Sequence, residues 1–287
     1  MRSLPRPSLL VAQVFASCVD GLDNDSPHGE LKRQKAAASK ALTEWEADYM
    51  AASTIGENYK IEQTSVRSAL LSKDEMSWLY ESRFAKAKTP GRALYDEIRA
   101  VALNVPCPLC ARRDADTLDH YLPKASFPGF AITPANLVPA CMQCNKAKGV
   151  HHASNASQQT LHPYFDRIDD EIWLRAEVVR GEIAALSFSV SPPESWSSTL
   201  RDRVIYHFGC FGLARLYASN AASELANIRW SMSSLFNVGG AGAVRERLLE
   251  MKLSHETNNP NSWSSASYRA LSVSDWFCEV GFEFSRA

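Results

Sequence analysis

The sequence has no run of 18 or more apolar residues, so no segment of it reads as a membrane-spanning helix, and no membrane partner is expected. Neither sign of charge dominates. With 31 Lys+Arg against 32 Asp+Glu the formal net charge is -1, which excludes a global attraction to nucleic acid and leaves any polyanion binding to a local patch. Internal repeats and low-complexity tracts are missing too, which excludes solenoid and fibrous architectures. A convincing export signal is lacking: MRSLPRPSLLVAQVFASC imitates a secretory or lipoprotein leader, but its apolar stretch is short, interrupted by Gln13 and preceded by prolines. A buried N-terminal helix or strand is the expectation there.

What the chain does have is 287 residues, enough for one large or two modest domains, and seven cysteines. Cys107, Cys110, Cys141 and Cys144 form two Cys-x-x-Cys knuckles, while Cys18, Cys210 and Cys278 sit singly in apolar surroundings, as small core residues do. Paired knuckles without an export signal favour a metal over disulfides and point to a reducing, cytoplasmic setting.

The first region, 1–104, reads as helical. ELKRQKAAASKALTEWEADYMAAS, SKDEMSWLYESRFAKAK and TPGRALYDEIRAVAL are rich in helix formers; Ser72 with Glu75 makes an N-cap, and Thr89-Pro90 puts a proline at a helix start. From 105 to 165 the texture changes to short apolar pieces broken by Pro, Gly and Asn. In the third region, 166–287, two alternating runs meet at Arg180-Gly181 as a β-hairpin. Helices are expected within 195–236, in AGAVRERLLEMKLSHE and in SYRALSVSDWFCEVGF. The fold class expected is α+β: a mostly helical chain around a small zinc-stabilised ββα core, with a hairpin.

A Cys-x-x-Cys turn presents two sulfurs to one ion, and two such turns complete a zinc tetrahedron with no open position, so this zinc is expected to be structural. The alternative, two redox dithiols, finds no other thioredoxin-like feature in the chain. Thirty residues separate the knuckles, more than in a common finger loop, so the intervening segment should carry the chemistry. Within it, Asp119 and His120 on an extended strand point to opposite faces, one able to hold a metal and the other to handle a proton. A return strand from Asn136 and a helix from Cys141, pinned by zinc, would gather Asp119, His120, Asn136 and Asn145.

LDHYLPKASF followed by NLVPACMQCNKAKG resembles the HNH endonucleases, the ββα-metal nucleases, in the subset with a four-cysteine zinc site. The likeness covers about 107–149, with Asn145 in place of the last His, a common variant of the family. The resemblance implies that Asp119 and Asn145 give oxygen ligands to one Mg2+ or Mn2+, and that His120 is the general base. It implies that Asn136 tethers the loop and orients His120. Lys146 and Lys148 lie where they could contact phosphates, in a segment with five basic and three acidic residues.

The remaining signals read as structural. His151-His152 is a solvated pair, LHPYFD a packing return onto the core, His207 a core histidine, and the seven tryptophans scattered core anchors. The function expected is a metal-dependent endonuclease, with DNA the favoured substrate. At the level of family analogy it resembles bacterial anti-phage defence or restriction effectors, some of which act beside an ATPase. A homodimer would serve double-strand cleavage. The second reading is a non-catalytic zinc module that binds nucleic acid or protein. A homing nuclease fits less well, because no helix-turn-helix or basic helix is evident.

Overall fold

The structure is a computed structural model and describes residues 1–63 and 69–283. It is α+β and divides into two compact units, Met1–Asp166 and Arg167–Ala287. Among the described residues the strands form two antiparallel two-stranded sheets, one in each unit, and no helix is long and apolar enough to cross a membrane.

In the first unit α1 (Val11–Val19) packs on α3 (Lys35–Thr54), with the short α2 (Gly29–Arg33) before it. The buried residues of α3 are Ala38, Leu42, Trp45, Glu46, Tyr49 and Ser53, one stripe at helical spacing. Its charged beginning stays in solvent. Glu46, a polar member of the stripe, closes the start of α1, its carboxylate accepting the Val11 backbone N–H at 3.1 Å and 3.2 Å. The N-terminal segment is tied down by Arg2 N–H to the Pro108 carbonyl and Leu4 N–H to that of Pro163, both at 2.9 Å.

Ser72 caps α4 (Lys73–Trp78) as expected, accepting the Glu75 N–H at 3.2 Å. The helix then widens into a π-helical turn, Leu79–Phe84, whose Tyr80 carbonyl takes the Ala85 N–H five residues on at 2.8 Å. The next helix, α5 (Arg92–Ala100), begins beyond the Thr89-Pro90 start expected of it. Thr89 turns its hydroxyl back to the carbonyls of Arg83 and Lys86 instead, and so belongs to the preceding turn.

The middle of the chain forms β1 (Thr117–His120), β2 (Leu137–Ala140) and α6 (Met142–Lys148). The strands are antiparallel, with Asp119 opposite Val138 and His120 opposite Leu137. LHPYFD returns onto this core as expected. His162 is buried and accepts the Tyr164 N–H at Nδ1, so its Nε2–H donates to the Tyr49 hydroxyl at 2.9 Å, while the Tyr164 hydroxyl donates to the Leu137 carbonyl. His151 is exposed, but His152 lies half-buried with its ring against Phe127.

The second unit holds the hairpin of β3 (Leu174–Val179) and β4 (Ala185–Val190), joined across Arg180-Gly181. Among the described residues it is accompanied by α7 (Ser198–Cys210), α8 (Leu213–Asn258), α9 (Trp263–Ser272) and a π-helical turn, Phe277–Gly281. β3 lies against α9 and β4 against α8. At Gly240, with φ 64° and ψ -162°, α8 breaks, so AGAVRERLLEMKLSHE is a separate helical run, as its sequence suggested. His207 is buried against Phe211. The tryptophans correct the expectation of core anchors: Trp45 and Trp173 are fully buried, while Trp230 is 80 % exposed because α8 turns that position away from its packed face.

One polar side chain organises this unit. Asn261, fully buried, accepts the N–H groups of Trp173 and Leu174 at 2.9 Å and 3.2 Å and donates to the Glu171 carbonyl at 2.7 Å, fixing the start of β3 to the chain entering α9. Asn261→Ala strands the two buried N–H groups of Trp173 and Leu174. It is expected to cost the second unit about 2–4 kcal/mol, measured by urea denaturation followed through tryptophan fluorescence; an unchanged midpoint would remove Asn261 from this role.

Candidate active site and metal centre

The first knuckle precedes β1 and the second opens α6. Cys107 N–H donates to the Arg113 carbonyl and Ala111 N–H to that of Cys107, with Ala111 at φ 50°, a tight turn that aims Cys107 and Cys110 inward. Cys141 occupies the N-cap of α6, and Cys144 lies one turn in. All four are buried, and their Sγ atoms lie within 4.8 Å of one another. Cys141 N–H points at Cys107 Sγ at 3.3 Å and Cys144 N–H at Cys141 Sγ at 3.4 Å, which favours thiolates. The cluster can hold a metal ion, and a cation is what would stabilise four buried sulfurs in their charged form.

This clamp sets α6 against β1. Asn145 donates from Nδ2 to Thr117 Oγ1 at 3.3 Å, and Lys148, three residues on and on the same helix face, reaches Asp119, two residues on along the same strand face. The Lys148 ammonium lies 3.2 Å and 3.1 Å from the two Asp119 oxygens and 2.7 Å from the His120 carbonyl. Both side chains are buried. Burial pushes the Asp119 carboxyl up to about 6, and the Lys148 charge opposes that rise. Lys148, read in the sequence as a phosphate contact, thus turns its ammonium into the site, whereas Lys146 is exposed on α6.

His120, buried on the opposite face of β1, has Nε2 2.9 Å from the Ala131 carbonyl. A carbonyl only accepts, so Nε2 carries the hydrogen and Nδ1 keeps its lone pair. Burial lowers the imidazole to about 3, the Ala131 hydrogen bond opposing the fall and the Lys148 and Lys124 charges adding to it, so the ring is neutral at physiological pH.

Asn136, fully buried, binds the loop between β1 and β2 from inside. Its Oδ1 accepts the Leu122 N–H at 2.7 Å, and its Nδ2 donates to the carbonyls of Leu122 and Phe130, each at 3.1 Å. This brings the Phe130–Ala131 stretch to His120.

Two neighbours of His120 went unread in the sequence. Tyr80 meets the imidazole edge-on at 4.5 Å, and Lys124 lies 5.1 Å over the Tyr80 ring while pairing with Glu81. Tyr80 lies well before the motif and carries no positional signal until the turn that holds it is known, while Lys124 stands inside LDHYLPKASF but its partners on that turn become evident only with the fold.

Comparison with known proteins places the same segment in a family: residues 107–151 match the HNH endonuclease family model. The chain is 27% identical to protein ea31 of Escherichia phage lambda across 96% of its own length and 99% of the phage protein's. It is 21% identical to the Septu protein PtuB of Bacillus thuringiensis over 46% of this chain and 48% of that one. No solved structure gives a significant match. The ββα arrangement, the clustered cysteines and the family match coincide on one stretch, and residues 107–151 are an HNH endonuclease domain.

Proposed function

We propose that the protein is a metal-dependent endonuclease that cuts DNA and acts in the cytoplasm as a defence effector against phage. The observation that carries this reading is His120: a neutral imidazole, with its tautomer set by the Ala131 carbonyl, beside a buried carboxylate in the HNH segment. In that tautomer Nδ1 takes the proton of the attacking water. Asn136 acts by holding the loop that supplies the carbonyl.

The residues that would hold a hard cation are Asp119 and Asn145, both oxygen donors, and the ammonium now bound by Asp119 supports a site that accepts positive charge. Mg2+ or Mn2+ there supplies charge stabilisation for the phosphodiester transition state. Lys146, exposed on α6, serves as a phosphate contact, and Lys148 keeps Asp119 ionised.

The cysteine cluster is assigned to structural Zn2+. Metal–sulfur bonds of about 2.3 Å put the sulfurs of a tetrahedron about 3.8 Å apart, and Cys110 Sγ and Cys141 Sγ are 4.0 Å apart. Likeness to the Septu protein PtuB supports the defence role, and control by a partner such as an ATPase is carried over as family-level analogy. A homodimer would pair two sites for double-strand cleavage. The second reading, a zinc-stabilised binding module, draws support from Lys148, which already satisfies Asp119 without a metal.

Two outcomes follow. Supercoiled plasmid with Mg2+ or Mn2+ should be converted to open circles, with prompt linear product if sites act in pairs; His120→Ala should cut at least about 100-fold more slowly at unchanged zinc content. Undiminished cutting by that variant would remove His120 as the base, and no cutting by the parent would favour the binding module. Cys144→Ser should lose most of its zinc and melt at a lower temperature, read by elemental analysis and circular dichroism. Full zinc retention would displace Cys144 from the ligand set.

A further inference from the structure

The π-helical turn Leu79–Phe84 lies outside the matched segment 107–151, yet it presents Tyr80 to the base. A π-turn carries one residue more than the α-helical repeat and so re-aims the side chains it holds; such turns recur at functional sites. This one is tightly held. The Arg83 carbonyl accepts the Thr89 hydroxyl and the Ala85 carbonyl accepts Arg92 Nη1, each at 2.7 Å. Arg83 Nε donates to the Cys18 carbonyl at 2.7 Å. Gly91 packs so closely on the turn that a Cβ there would stand 2.6 Å from the Arg83 carbonyl oxygen. On the turn's inner side Phe84 is fully buried, its ring 5.5 Å from that of Tyr95. The turn is therefore a fixed platform.

From this platform the Tyr80 ring, 6.1 Å from Phe84, meets the His120 imidazole at 4.5 Å with an interplanar angle of 63°. Lys124, from the loop between β1 and β2, lies over Tyr80 and pairs with Glu81 of the same turn, so the loop's own residue ties it to the platform. One hydrogen bond to Ala131 holds a single atom of the imidazole at 2.9 Å. The Tyr80 ring, packed at 63°, adds a second constraint on the imidazole's orientation.

We propose that Tyr80 is a positioning residue for His120: its ring holds the imidazole on the Ala131 carbonyl and so fixes where Nδ1 points. The inference rests on His120 being the base, and it concerns the ring, the part of Tyr80 that meets the imidazole. A misaimed base slows the chemical step and leaves substrate binding unchanged.

The test uses the full chain as Tyr80→Leu and Tyr80→Phe, with a fluorophore–quencher DNA duplex and Mg2+ or Mn2+ as the activity probe. Tyr80→Leu is expected to lower kcat about 10- to 100-fold with KM unchanged, and Tyr80→Phe to restore it. Independently of activity, nitrogen-15 NMR of the labelled imidazoles should show a single Nε2–H tautomer for His120 in the parent and in Tyr80→Phe, and an average of two tautomers in Tyr80→Leu. Equal kcat in the parent and Tyr80→Leu, a faster Tyr80→Leu, or a His120 tautomer unmoved by the leucine overturns the proposal. If the parent fails to cut, the nuclease reading falls, and the tautomer measurement still decides whether Tyr80 positions the ring.

Discussion

Four cysteine sulfurs brought within 4.8 Å of one another in the interior impose the constraint on which the first unit's site depends. The sequence between the knuckles folds into two strands of four residues each, and a pair so short has little stability of its own. The seven-residue α6 is equally marginal alone. Joining Cys107 and Cys110, ahead of β1, to Cys141 and Cys144, at the start of α6, closes these pieces into one body. Asn145 and Lys148 reach β1 because α6 is fixed at its N-terminus.

Within that frame a single buried ion pair sets the electrostatics. Asp119 is pushed toward protonation by burial, and Lys148 opposes the shift from the same helix that carries Asn145. His120, the next residue along the strand and on its opposite face, feels the same burial and the same cation, and both keep its imidazole neutral. Adjacent residues thus sit side by side as an ion-paired carboxylate and a neutral imidazole, the strand sending their side chains to opposite faces.

Much of this was legible from sequence because the signals are local. The knuckles, the Ser72 cap and the turn at Arg180-Gly181 each depend on a few neighbouring residues, and each forms where its chemistry said. The inward course of Lys148 was readable in principle, since it shares a helix face with Asn145, but its partner became evident only with the packing of α6 on β1. The π-turn was hidden: LYESRF is an ordinary helical sequence, and its widened register is held by Thr89, Arg92 and Gly91 from the chain that follows. Thr89-Pro90 misled for the same reason, its hydroxyl being drawn to that turn. Trp230 misled because a large apolar residue implies burial only when its helix face has a partner.

On the function proposed above, two metals serve this site, one enclosed and structural, the other exchangeable and catalytic. Metal content and plasmid cleavage measured on the same sample, before and after mild EDTA treatment, address it directly. Treated protein is expected to keep about one zinc per chain, stay folded, lose cleavage and regain it with Mg2+ or Mn2+ alone. Cleavage that persists in EDTA, or that departs with the zinc and returns only when zinc is restored, would contradict it.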